Sequence, residues 1–294
     1  MTTLAPAKTS TEAIREELDQ SRKKGALQRI VIPPCPELLA RLQATMALPE
    51  PDLNEVARIA SSDVAMSAVL LRYANGPMHA AGQPVQTIGQ AMNRLGLEQT
   101  ASVMTGFMAQ RAIRVTSVHL QRFWERAAKR AIAMTFMAHK FPGMSADVAH
   151  TYGLFCHVGL PVMMQSVPGY AGTLAEARAR TDRSAIETEN INHKTDHAVV
   201  GSLVARVWRL APQVMAAIRL HHDLEVLGCK HTDAEVQLLV ASGLLAERMM
   251  LKHEGIDPDR DWLEHSAKAL HWLDLREEEL EVWDLELRDM LDAA

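Results

Sequence analysis

Gly153-Leu154-Phe155-Cys156-His157-Val158-Gly159 is the stretch that decides how this chain is read. Two glycines bracket an apolar run in which one thiol and one imidazole stand side by side, with no carboxylate between them. The spacing of apolar residues around it predicts a helix from Ala146 to Phe155 and onward past His157. Cys156, flanked by Leu154 and Phe155, reads most simply as a small buried hydrophobe rather than a ligand or nucleophile.

Outward from that run, apolar residues recur every three or four positions and period-two runs of Val, Ile and Thr are nearly absent, so the chain should be all-α. A charged helix is predicted over Thr11 to Lys24. Ile30-Val31-Ile32-Pro33-Pro34-Cys35-Pro36 must then be extended, because its prolines remove donors and disfavour helix before them. Further helices are predicted over Glu37 to Leu48, Leu53 to Ser61, and Asp63 to Asn75, the last with Asp63 as N-cap and Asn75-Gly76-Pro77 as its stop. Thr87 to Leu95, ended by Gly96, Glu98 to Ile113 and Leu120 to Lys140 follow. Beyond the opening run come Ser184 to Asn192, Asp196 to Arg209, Pro212 to Asp223, Asp233 to Lys252 and Asp274 to Leu291. The last sets Leu280, Trp283, Leu287 and Met290 on one stripe, which has to be buried on the body or in a partner. Met104, Met108, Met134, Met137, Met163 and Met164 are read as core filling.

The 294 residues are 48% hydrophobic, enough for a sizeable core. A net charge of -5 hides an asymmetry: seventeen acidic and six basic residues lie from His231 onward, leaving a mildly basic body. Its cations are scattered and aromatics are few, so nucleic-acid binding is not expected. Cys35, Cys156 and Cys229 are odd in number and far apart, which argues against a disulfide framework and for a reducing cytosol. No signal peptide or membrane span is read, so a cytoplasmic location is expected.

Five blocks in order carry a family resemblance. Ile32-Pro33 to Leu38, Ser62-Asp63-Val64 through Ala74-Asn75, and Ile88-Gly89-Gln90-Ala91 through Leu95-Gly96 are followed by Gly153 to Gly159. The fifth runs from Asp196-His197 through Trp208 and Pro212 to His221-His222. Over roughly Ile30 to Met249 the chain resembles the HDOD family, the output domains related to HD-type metal-dependent phosphohydrolases. The resemblance implies a compact multi-helix HD-like bundle over residues 30–230, flanked by an N-terminal helix in 1–29 and an acidic helical extension in 231–294. It also implies a bacterial signal-transduction role and no established enzyme activity.

Against the HD pattern, the first ligand histidine aligns with Arg126, whose guanidinium cannot ligate a cation. The His-Asp dyad aligns with Cys156-His157, and the late aspartate falls near Ala241-Ser242, so Ser242 offers a hydroxyl in place of a carboxylate. His157, His197, His221 and His222 remain, and with Cys156 they are the candidates for a vestigial nitrogen and sulfur site. Adjacent helical residues diverge by about 100°, so His221 and His222 are not expected to face one ion. The plainer reading is of leftover imidazoles hydrogen-bonded inside a former cleft, with no metal and no catalysis. The sequence therefore points to a stand-alone, non-catalytic signalling module that binds a protein partner. The alternatives are a divergent metal-dependent phosphohydrolase, a metal-free sensor of a nucleotide second messenger using Arg126, and a homodimer formed through the Leu280 and Trp283 stripe.

Overall fold

The computed structural model describes residues 10–21, 25–79 and 82–292 and contains no strand among them. In chain order the helices are α1 (Ser10–Ser21), α2 (Glu37–Met46), α3 (Leu53–Ser61), α4 (Val64–Ala74), α5 (Ile88–Leu95), α6 (Leu97–Ala112), α7 (Phe123–Lys140) and α8 (Ala146–Phe155). They continue as α9 (Gly159–Ser166), α10 (Tyr170–Ala179), α11 (Ala185–His193), α12 (His197–Val207), α13 (Pro212–Leu220), α14 (Ala234–His253), α15 (Arg260–Trp272) and α16 (Glu277–Asp292). Packing divides the chain into two units, one of Met1–Ile32 with Phe155–Leu280, the other of Pro33–Leu154 with Glu281–Ala294.

In the second of these units α3, α4 and α5 begin where capping side chains satisfy their first amides. Asp52 accepts from Asn54 and Glu55 at the start of α3, and Asp63 accepts from Ala65 and Met66 at the start of α4. Thr87 and Gln90 form a capping box on α5. Asn75, the expected stop, caps the C-terminus of α4 and also exchanges two hydrogen bonds with the backbone of Val85, which fixes the following loop. On α16, Trp283 sits edge-on to Phe136 of α7 and to Phe141 just after that helix, and Leu287 is buried. That part of the stripe is covered from within the chain. Of the methionines read as core filling, all but Met164 are buried.

In the first unit α12 packs between α9 and α13, and α1 lies on α13 and α12 through buried Ile14 and Leu18. Arg206 reaches Asp19 and the Arg15 carbonyl, and Arg219 pairs with Glu17. Trp208 is wholly buried and meets Phe155 edge-on at 5.8 Å.

The predicted continuation of the Ala146 helix past His157 is corrected: the helix ends at Phe155, and Cys156, His157 and Val158 form a turn into α9. Two local facts require the break. Pro161 has no amide to give the His157 carbonyl, so Leu160 takes that bond at 2.9 Å, as in a helix's first turn. Gly159 is pressed against α12 so closely that a Cβ would meet the His197 carbonyl at 2.0 Å and the Gly201 amide nitrogen at 2.8 Å. At the other end of the run, a Cβ on Gly153 would lie 2.7 Å from the Arg130 carbonyl. Both glycines serve close backbone contact.

Candidate metal centre

Four imidazoles meet in the first unit, each supplied by a helix end. His157 lies in the turn before α9, His197 is the first residue of α12, and His221 caps α13 with His222 following it. Asp196 fixes the start of α12 by accepting from the Val199 amide at 2.9 Å, and is itself held by Asn190 at 2.7 Å. The expectation that His221 and His222 would diverge is overturned. The helix stops at Leu220, so the two residues are not on a continuing helix, and their ring centroids lie 4.0 Å apart.

One nitrogen from each of His157, His197, His221 and His222 lies within 4.8 Å of all the others. His157 Nδ1 is 3.3 Å from His197 Nε2 and 3.3 Å from His221 Nε2, and His197 Nε2 is 3.2 Å from His222 Nε2. Cys156 is buried but is not one of the converging groups. Ser242, on α14, has a buried hydroxyl without a hydrogen-bond partner. Arg126 lies on α7, in the other unit.

The outer nitrogens decide what the inner ones can do. His221 Nδ1 is 2.7 Å from the Ile218 carbonyl, which can only accept, so the ring donates there. His197 Nδ1 faces both carboxylate oxygens of Glu189 at 3.0 Å, and His222 Nδ1 faces Asp261. In the neutral form all three rings thus carry hydrogen on Nδ1 and turn an Nε2 lone pair inward. Two such nitrogens 3.2 Å apart, as in His197 and His222, repel unless a proton or a metal cation stands between them. Carboxylate or carbonyl support behind each imidazole is the usual outer shell of a histidine metal site.

Glu189 is completely buried and fully bonded. It accepts from the Tyr170 hydroxyl at 2.8 Å, from the His197 amide at 2.7 Å and from the His197 ring. Burial works to raise its pKa, but the His197 charge and hydrogen bonds and the Tyr170 hydroxyl outweigh that and hold it below the usual carboxylate range. Burial, then the neighbouring Glu189 charge, pushes the Tyr170 hydroxyl well up. Asp261 is likewise held low against burial by its bond to His222, and His222 is held high by Asp261.

Glu189, Tyr170 and Asp261 did not stand out in the sequence. Asp261 falls in the acidic stretch after residue 230, here packed into the same unit as His222. A signal for the break before α9 was present in Pro161.

The described residues build an all-helical fold that carries this histidine centre. A model of the HDOD domain matches residues 32–224, and the chain belongs to the HDOD family. It is 25% identical over 229 residues to an uncharacterized protein of Treponema pallidum, an alignment covering 77% of this chain and 44% of that protein. The chain therefore spans less than half the length of that relative. Among solved structures it is similar to a provisionally named phosphohydrolase of Shewanella amazonensis, with a TM-score of 0.69 and 20% identity over 96% of this chain and 97% of that one. A provisionally named signal transduction protein of Marinobacter aquaeolei gives a TM-score of 0.70 at 18% identity, covering 99% of this chain and 66% of that one. An HDOD domain protein of unknown function from Geobacter sulfurreducens gives 0.65 at 18%, over 96% and 97%. At these identities the likeness establishes the fold. No helix among the described residues is long and apolar enough to cross a membrane.

Proposed function

We propose that this chain is an HDOD signalling module whose four-histidine centre holds one divalent transition cation in a non-hydrolytic role, and that it acts by binding a protein partner. The observation that carries the metal reading is the inward convergence of lone pairs from rings whose outer nitrogens are already committed.

The donor set can be tested against the ion. Imidazole nitrogens suit Zn, Cu, Fe and Ni, and zinc–nitrogen bonds of about 2.0–2.1 Å in a tetrahedron put neighbouring ligands about 3.3 Å apart. Three separations, at 3.2 to 3.3 Å, fit that edge, and the remaining three lie within 4.8 Å. Two carboxylates, Glu189 and Asp261, stand behind the rings as counter-charge for one divalent ion. A bridged pair of ions does not fit, because no carboxylate is among the converging groups.

When bound, such an ion would supply cross-linking of α9, α12 and α13 through their termini rather than an activated water, since four protein ligands complete a closed, structural type of site. The residues' own work is orientation: Glu189 and Asp261 fix which nitrogen of His197 and His222 faces inward. The signalling part of the reading rests on family membership and on the name of the Marinobacter neighbour.

The test is elemental analysis of tag-free protein beside its His197→Ala variant, with phosphodiester turnover assayed on the same samples. About one transition ion per wild-type chain, absent from the variant, with no turnover in either, is expected. Metal-dependent turnover that vanishes in the variant would replace this reading with a hydrolase.

A further inference from the structure

The second unit carries a half-open cleft with room for about 160 Å³ between α4, the turn after it, α6, α7 and α8. Its wall is mostly apolar, with Val103, Phe107, Trp124, Ile132 and Leu154 facing one another. The ring of Trp124 is fixed by its Nε1–H, which donates to the Ile113 carbonyl at 3.1 Å. Gly106 leaves room for Leu154 to reach the cavity, since a Cβ there would meet Leu154 Cδ2 at 2.7 Å.

Two imidazoles interrupt this wall. His150 is 5% exposed, lies edge-on to the Tyr73 ring at 5.6 Å, and its Nδ1 has no hydrogen-bond partner. His79, whose ring is 5.4 Å from Tyr73, has a buried Nε2 that is also without a partner. Buried polar atoms are nearly always bonded, and leaving one unsatisfied costs roughly 1–3 kcal/mol. Two imidazoles on the wall of one mostly apolar cleft, each with such an atom, mark where a polar group of a ligand belongs.

Size and chemistry narrow that ligand. A cavity of about 150 Å³ lined by apolar side chains is large enough to take benzene. Burial, reinforced by the nearby His79, pushes His150 down to about 4 against the opposing Asp147 charge, and burial also lowers His79, so both rings are neutral at pH 7. A neutral ring offers a lone pair or an N–H according to its tautomer, and a hydroxyl can answer either. We infer that this cavity is a binding site for a single-ring phenolic compound, its ring against the Trp124 and Phe107 wall and its hydroxyl on His150. The inference is independent of the metal centre.

Phenol and toluene, nearly equal in size, separate a built site from a greasy void. Calorimetry on the full chain is expected to show saturable phenol binding at least tenfold tighter than toluene, because a site made for a hydroxyl rejects the analogue that leaves its polar atom bare. In His150→Leu protein the preference is expected to disappear or invert, with the far-ultraviolet circular dichroism unchanged. Toluene binding as tightly as phenol to the wild type, or neither binding at millimolar concentration, overturns the inference. Should His150→Leu fail to fold, the wild-type ratio decides alone.

Discussion

Buried imidazoles are handled in opposite ways by the two units. Around His197, His221 and His222 every outer nitrogen has an acceptor, and the inner nitrogens crowd together. His150 and His79 line a mostly apolar cleft, and each keeps a buried ring nitrogen without a hydrogen-bond partner. The first arrangement suits a cation, because carboxylates behind the rings balance its charge. The second suits a neutral molecule, because desolvation keeps the rings uncharged. The residue type is the same in both; its second neighbours set the chemistry.

The sharpest way to break the contrast is through the glycines. Gly159→Ala would drive a Cβ into the His197 and Gly201 backbone, which cannot step aside, and is expected to cost about 3 kcal/mol or more and to disorganise the histidine centre. Thermal and urea unfolding, with metal content measured alongside, check this.

Acid should act on the other unit. His150 titrates near 4 when folded, against an ordinary value near 6.5, so the unfolded chain takes up its proton at higher pH than the folded one. The contribution is complete above about pH 6.5 and is lost as pH falls toward 4, up to about 3 kcal/mol, with His79 adding in the same direction. Urea midpoints across that window should fall less steeply for His150→Leu than for the wild type.

Glu189→Gln removes the charge behind His197 while keeping its shape, and should weaken metal affinity by roughly tenfold to a hundredfold. Competition with a chromophoric chelator reads this directly. The smallest effect is expected at Gly106→Ala. There the obstacle is the tip of the Leu154 side chain, not backbone, and about 1 kcal/mol should suffice. A loss as large as that of Gly159→Ala would remove the distinction between the two contacts.

Several helices were announced in the sequence by local rules that set their ends. Asp63 and Asn75 bracket α4, Ser184 caps α11, Asp196 caps α12, and Gly96 ends α5, all by hydrogen bonds or backbone angles a single residue type provides. Membership of the HDOD family was legible in the same blocks. The four histidines were visible as candidates, but not their convergence. The signal for the turn at Cys156–Val158, Pro161, lies beyond the turn itself, and α13 ends at Leu220 without a glycine or proline to mark the stop. Glu189 and Asp261 join the rings only through tertiary packing, Asp261 from 39 residues beyond His222. The helices α10 and α15 were not among those predicted, although Asp259 caps α15 by accepting from the Trp262 amide, and α15 is the one that brings Asp261 in.

X-ray absorption at the metal edge of the zinc-loaded protein tests the central claim most directly. A first shell of about four nitrogens at 2.0–2.1 Å, with the multiple scattering of imidazole rings, is the predicted result. A shell dominated by water oxygen, or by sulfur, would contradict the four-histidine centre.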